Sequence, residues 1–140
     1  MSENFKILTQ FVKDMSSETP NVETYLYVKE YLKNYNLDID ITTKPLKNRM
    51  IEINTKLSYI DKSKAKNKSY FEITYASIIK IDEQIKDRKI IEKIILCDVQ
   101  KEIYPNLEKI FINLLSNSGF PGVKFGKKVD FEQLYNQRLN

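Results

Sequence analysis

Few side chains in this chain are spaced to do chemistry. There is no histidine, which removes the usual nucleophile triads and most common zinc sites. The one cysteine, Cys97, falls within a helical pattern with no basic partner that the sequence identifies. It reads as a buried, inert thiol, because a free cysteine behaves as a small apolar residue. Asp38 and Asp40 stand two apart on one strand face, a spacing that suits a cation and equally describes solvated carboxylates on the outside of a sheet. The stretch GVKFGKK, 122 to 128, compares with a phosphate loop but is one residue short, and it puts Lys128 where Ser or Thr would bind magnesium. No catalytic residue, metal site or cofactor is expected, and the chain does not read as an enzyme.

The elements that position these residues follow from length and pattern. With 140 residues, 41% of them hydrophobic, the chain suits one domain spanning 1–140 with a single core. A net charge of +4 permits attraction to polyanions and equally describes a lysine-rich solvated surface. The opening MSENFKILTQF has an acid near its front and no apolar run of signal length, and no segment approaches the ~20 apolar residues of a membrane span. A cytoplasmic protein is expected.

Alternation marks four strands. In ILTQFVKDM, Ile7, Thr9, Phe11 and Met15 fall on one face, while Leu8 and Val12 make the other partly apolar, which predicts a strand buried on both sides. LDIDITT sets Leu37, Ile39 and Ile41 against Asp38, Asp40 and Thr42 and ends at Pro45. MIEINTKLSYI sets Ile51, Ile53, Leu57 and Tyr59 against Glu52, Asn54, Lys56 and Ser58. After a charged connector, DKSKAKNKS, the stretch YFEITYASIIKID turns Phe71, Ile73, Tyr75, Ile79 and Ile81 one way and Tyr70, Glu72, Thr74 and Lys80 the other.

Beyond Asp82 the period lengthens to three and four. Ile91, Ile94, Ile95 and Val99 give one helical stripe, Pro105 interrupts or restarts the helix, and Leu107, Ile110, Phe111, Leu114 and Leu115 give a second stripe. Gly119 stands where a left-handed C-terminal residue is wanted, and Pro121 prevents continuation. Asp130 opens a last helix, with Gln133 three residues on. Strands followed by helices predict an α+β fold: a four-stranded antiparallel sheet with helices packed on one face.

The residues also carry a family resemblance. The end of the chain, GFP followed by KKVDFEQLYNQRLN, resembles the closing motif of the SecB export chaperones, and FVKDMSSETPN near the start is similar to that family's Lys-Asp-x-Ser-x-Glu-x-Pro-Asn segment. LDID resembles the family's second strand, YFEITYASIIKID its fourth, and YPNLEK stands, much altered, where the family has Phe-Pro-Tyr-Ala-Arg-Glu. The resemblance implies an ATP-independent chaperone, a homotetramer built as a dimer of dimers, that holds unfolded precursor proteins in apolar grooves and delivers them to the motor SecA. It places SecA docking on Asp14, Glu18, Tyr70 and Glu72, and support of the tetramer on Phe71, Ile73 and Tyr75. Leu37, Ile39, Leu134 and Tyr135 are candidates for the client groove and equally for plain core packing. Some relatives guard antitoxins, so a chaperone dedicated to one such client fits the same residues. A basic nucleic-acid-binding module rests only on the charge and on nine tyrosines.

Overall fold

The computed structural model describes residues 4–125 and 129–138. Four strands, β1 (Phe5–Glu18), β2 (Tyr35–Pro45), β3 (Met50–Asp61) and β4 (Tyr70–Ile81), form one antiparallel sheet in the order β1-β4-β3-β2. Helices α1 (Val22–Glu30), α2 (Arg88–Lys93), α3 (Val99–Asn117) and α4 (Phe131–Arg138) complete the fold, with a π turn (Ile94–Asp98) joining α2 to α3. The α+β class and the antiparallel sheet agree with the sequence reading. The strict succession of strands then helices does not, because α1 stands between β1 and β2 and carries the chain from one sheet edge to the other. Asn21 caps α1, its side chain accepting from the Thr24 amide at 2.8 Å.

Strands β2, β3 and β4 keep their alternation. Ile53, Leu57, Phe71, Ile73 and Ile79 are fully buried, together with Val99, Ile103, Leu107, Phe111 and Leu115 from the α3 stripe, so the core lies between one sheet face and α3. Strand β1 departs from the expectation. The register shifts between Ile7 and Thr9 and again between Val12 and Asp14, so Leu8 and Lys13 are bulged. Each bulge moves the following residues to the other face. Ile7 and Met15, opposite Ile79 and Ile73, share the helix-covered face, whereas Thr9 and Phe11, opposite Ile78 and Ala76, share the outer one. Nor does β1 bury both sides. As an edge strand with a single neighbour it leaves Leu8, Phe11, Val12 and Met15 exposed by 40% or more in the single chain.

The break expected at Pro105 lies elsewhere. Pro105 sits inside α3 on an exposed side, where its missing N–H costs a hydrogen bond at a position that water can reach, and the irregularity falls at the π turn instead. Gly119 does end α3. Its φ is +99°, and the Gly119 and Phe120 amides donate to the Ser116 and Leu115 carbonyls, the paired closure of a Schellman motif. A Cβ at Gly119 would come within 2.6 Å of the Tyr25 ring, whose hydroxyl donates to the Gly119 carbonyl, so this corner locks α1 to the end of α3. The charged connector is anchored too. The Tyr35 hydroxyl accepts from the Ser69 amide and donates to the Ser69 carbonyl, both at 2.9 Å, which fixes the start of β4 against β2.

Candidate functional site

The helix layer does not close over the whole sheet. Beside the free edge of β2 a groove opens, about 440 Å³ where Ile39, Ile41, Leu96, Phe131, Leu134 and Tyr135 line it, with Asp40 and Gln137 at its rim. Through Ile41 and Leu96 it continues into a second stretch of about 460 Å³, lined by Thr43, Arg88, Ile91, Glu92 and Ile95. Three elements build it. Alternation along β2 turns Ile39 and Ile41 to the helix side, opposite Leu57 and Thr55 of β3. The π turn supplies Ile95 and Leu96. Helix α4 lies along the other wall, held by the Asp130 cap to the Gln133 amide at 3.0 Å, an edge-on contact of Phe131 with Tyr104, and the Tyr135 hydroxyl donating to the Lys89 carbonyl.

Of the groove candidates read from the sequence, Ile39, Leu134 and Tyr135 line this groove, and Leu37 does not. Leu37 pairs opposite Tyr59 and is half-buried against the core. Leu96, Phe131, Ile41, Ile91 and Ile95 were missed as lining residues. Ile41 and Phe131 carried a signal, since they continue the faces of Ile39 and Leu134. Leu96 carried none, because a helical period does not reveal a π turn.

The opposite sheet face is polar. Glu18 lies directly across from Tyr70, Ser16 from Glu72 and Asp14 from Thr74, so Asp14, Glu18, Tyr70 and Glu72 share this outer face. Lys56 of β3 reaches Glu72 at 3.2 Å, whereas among the described residues Asp14 and Glu18 have no ion-pair partner. Lys13, pushed outward by its bulge, bonds Glu52 at 2.6 Å, and with the Asn54 amide it holds the Glu52 carboxyl below its ordinary range. Asp38 pairs with Lys62 at 3.2 Å. Asp38 thus stands in a surface ion pair, and the GVKFGKK stretch runs into residues 126–128, outside the described residues.

Phe71, Ile73 and Tyr75 are sealed inside the chain's own core, 1%, 0% and 4% exposed. The Tyr75 hydroxyl donates to Gln10 Oε1 at 3.1 Å and accepts from Asn106 Nδ2 at 3.2 Å, so its polar end is spent within the chain. Within the single chain these three pack in the core, so the support of the tetramer that the resemblance assigns them would act through the sheet they hold. Burial pushes the Cys97 thiol up, away from the reactive thiolate. Among the described residues no helix is long and apolar enough to cross a membrane.

Comparison with known proteins agrees with this arrangement. The family model described as preprotein translocase subunit SecB matches residues 1–140. The putative protein-export protein SecB of Pelagibacter ubique is 55% identical over 140 residues, the whole of both chains. The protein-export protein SecB of Parvibaculum lavamentivorans is 26% identical over 133 residues, covering 95% of this chain and 77% of that one. Among solved structures, a Mycobacterium tuberculosis SecB-like chaperone, in complex with a ChAD peptide from an antitoxin, superposes with a TM-score of 0.64 at 7% identity, over 90% of this chain and 91% of that one, and so shares the fold. With the whole chain matched and more than half of it identical to one relative, the protein belongs to the SecB family, a family of export chaperones and not of enzymes.

Proposed function

We propose that the chain is an ATP-independent holdase that binds unfolded precursor proteins in the groove between β2 and α4 and hands them to SecA in the cytoplasm. The observation that carries this reading is the groove. Ile39, Ile41, Leu96 and Phe131 form an open apolar strip that an extended segment can follow and a folded surface cannot enter. The test is a titration with one polypeptide in its unfolded and native forms. Binding of the unfolded form alone is expected, unaffected by nucleotide and weakened about tenfold by Leu134→Asp, which puts a charge on the groove wall at an already exposed site. Equal binding of both forms would refute the reading.

Assembly as a homotetramer, a dimer of dimers, is part of the proposal. Its support is β1, an uncapped edge whose Leu8, Phe11, Val12 and Met15 stay exposed, as do Val22 and Leu26 of α1. An exposed apolar edge of this length is a template for pairing with another chain, and a two-fold pair buries the same patch twice. Nucleic acid is not proposed as a partner. Tyr35, Tyr59, Tyr75, Tyr104 and Tyr135 are buried, so these rings offer no platform for bases.

The proposed SecA site is the outer patch of Asp14, Glu18, Tyr70 and Glu72. Among the described residues Glu18 and Asp14 keep unpaired carboxylates on the same sheet face as the exposed Tyr70 ring, which suits a basic partner despite the net positive charge of the chain. Glu18→Lys with Tyr70→Ala should abolish SecA capture on an immobilised motor while client binding and native mass stay unchanged. Normal capture by that variant would remove the assignment. A chaperone dedicated to one client such as an antitoxin is the second reading, favoured by the Lys56–Glu72 pair that neutralises part of this patch. It becomes the better one if the unmodified protein never binds the motor.

A further inference from the structure

The groove depends on a buried polar contact that lies behind it. Thr55 of β3 and Gln100 of α3 are both fully buried, and Thr55 Oγ1 donates to Gln100 Oε1 at 3.0 Å. Gln100 Nε2 in turn donates to the Ile95 carbonyl at 3.3 Å. That carbonyl is where the helix is irregular, because the Val99 amide reaches five residues back to Ile94 and not to Ile95. The side chain of Gln100 therefore ties the inside of the π turn to the centre of the sheet.

The extra residue in this turn decides what lines the groove. The sheet-facing stripe of α3 runs Val99, Ile103, Leu107, Phe111. Continued backward at about 100° per residue, it would bring Glu92 to the sheet. One additional residue in the turn shifts that frame. Ile91 packs against the core while Glu92 stays exposed at the rim, and Ile94 through Cys97 are buried in succession. Ile95 and Leu96 then face the groove, with Leu96 common to both of its stretches.

We infer that Thr55 and Gln100 are a positioning pair: by holding the π turn they set the shape of the groove, and through it the preference for bulky apolar anchors in a client. The inference rests on the groove being the client site. Cys97, the chain's single cysteine, lies in the π turn at 0% exposure and reports on it independently of any client.

The experiment compares the full-length native protein with Thr55→Val, Thr55→Ser and Gln100→Leu. Two quantities are read: the rate at which Ellman's reagent labels Cys97, and the ratio of dissociation constants for two unfolded peptides that differ only in leucine or alanine anchors. Thr55→Val and Gln100→Leu each strand a buried polar atom, so both should raise labelling about tenfold through local opening and cut the leucine preference severalfold. Thr55→Ser keeps the hydroxyl and should restore both values. Unchanged labelling in both disruptive variants would overturn the inference. So would a leucine preference that stays constant while labelling rises only in step with a lower denaturation midpoint, the behaviour of plain packing. If Thr55→Val fails to fold, Gln100→Leu decides alone by the same criteria. A native protein that binds neither peptide defeats the groove reading and the inferred client preference together. The labelling arm then separates that result from a failure of the Thr55–Gln100 latch itself.

Discussion

Aspartate at both Val12 and Met15 is expected to split the assembled protein at its β1 contact, with the dissociation constant of that contact raised by about a thousandfold or more. Both side chains lie on the face of β1 that continues the helix-covered side of the sheet, opposite Tyr75 and Ile73, and each is at least 40% exposed. In the single chain a carboxylate at either site stays in water and costs little. Against a second copy, four carboxylates would gather at one two-fold contact without partners. The chain should still fold, because its core of Ile53, Leu57, Phe71, Ile73, Phe111 and Leu115 is closed by its own α3. Light scattering would then give a mass of one or two chains of 16.6 kDa, and the unmodified protein four times 16.6 kDa. An unchanged mass in the double variant would place the contact elsewhere.

Ile73→Asp should act through a different route, by unfolding the chain. Ile73 has no exposure and belongs to the core cluster, so aspartate there buries a charge without a partner and leaves a void, a combination that costs about 4 kcal/mol or more. Loss of the cooperative urea transition, with or without assembly, is the expected result. A folded dimer of ordinary stability would show instead that Ile73 touches a neighbouring subunit directly, and the assignment of Phe71, Ile73 and Tyr75 to the chain's own core would fall.

Much of this was readable beforehand, and what was not has physical reasons. Strands β2, β3 and β4 were legible because each has one face on the core and one in water, which imprints a period of two on Ile39 and Ile41, on Ile53 and Leu57, and on Phe71 and Ile73. The common face of Asp14, Glu18, Tyr70 and Glu72 was expected and is found, although in β1 it depends on the bulge at Lys13. Bulges leave no periodic mark, so the split of Ile7 and Met15 from Thr9 and Phe11 was not legible. Helix α1 was missed because it buries only Thr24 and Val28 and leaves Val22 and Leu26 in water, which gives no apolar stripe. Its Asn21 cap was the one available signal. At the groove, Leu134 and Tyr135 were reached through α4, but Leu96 stands in a π turn that no helical period marks, and the Thr55–Gln100 bond behind it joins residues far apart in the sequence.

The central claim is that an unfolded chain lies between β2 and α4, and site-directed cross-linking tests it most directly. Cysteine at Leu134, carrying a photo-activated probe, stands on the groove wall, and cysteine at Thr9 stands on the outer face of the sheet. Native Cys97 is buried, so a brief labelling modifies the exposed introduced cysteine first. The probe at 134 should capture an unfolded precursor and not its folded form, while the probe at 9 captures neither. Capture from position 9 with none from position 134 would contradict the account.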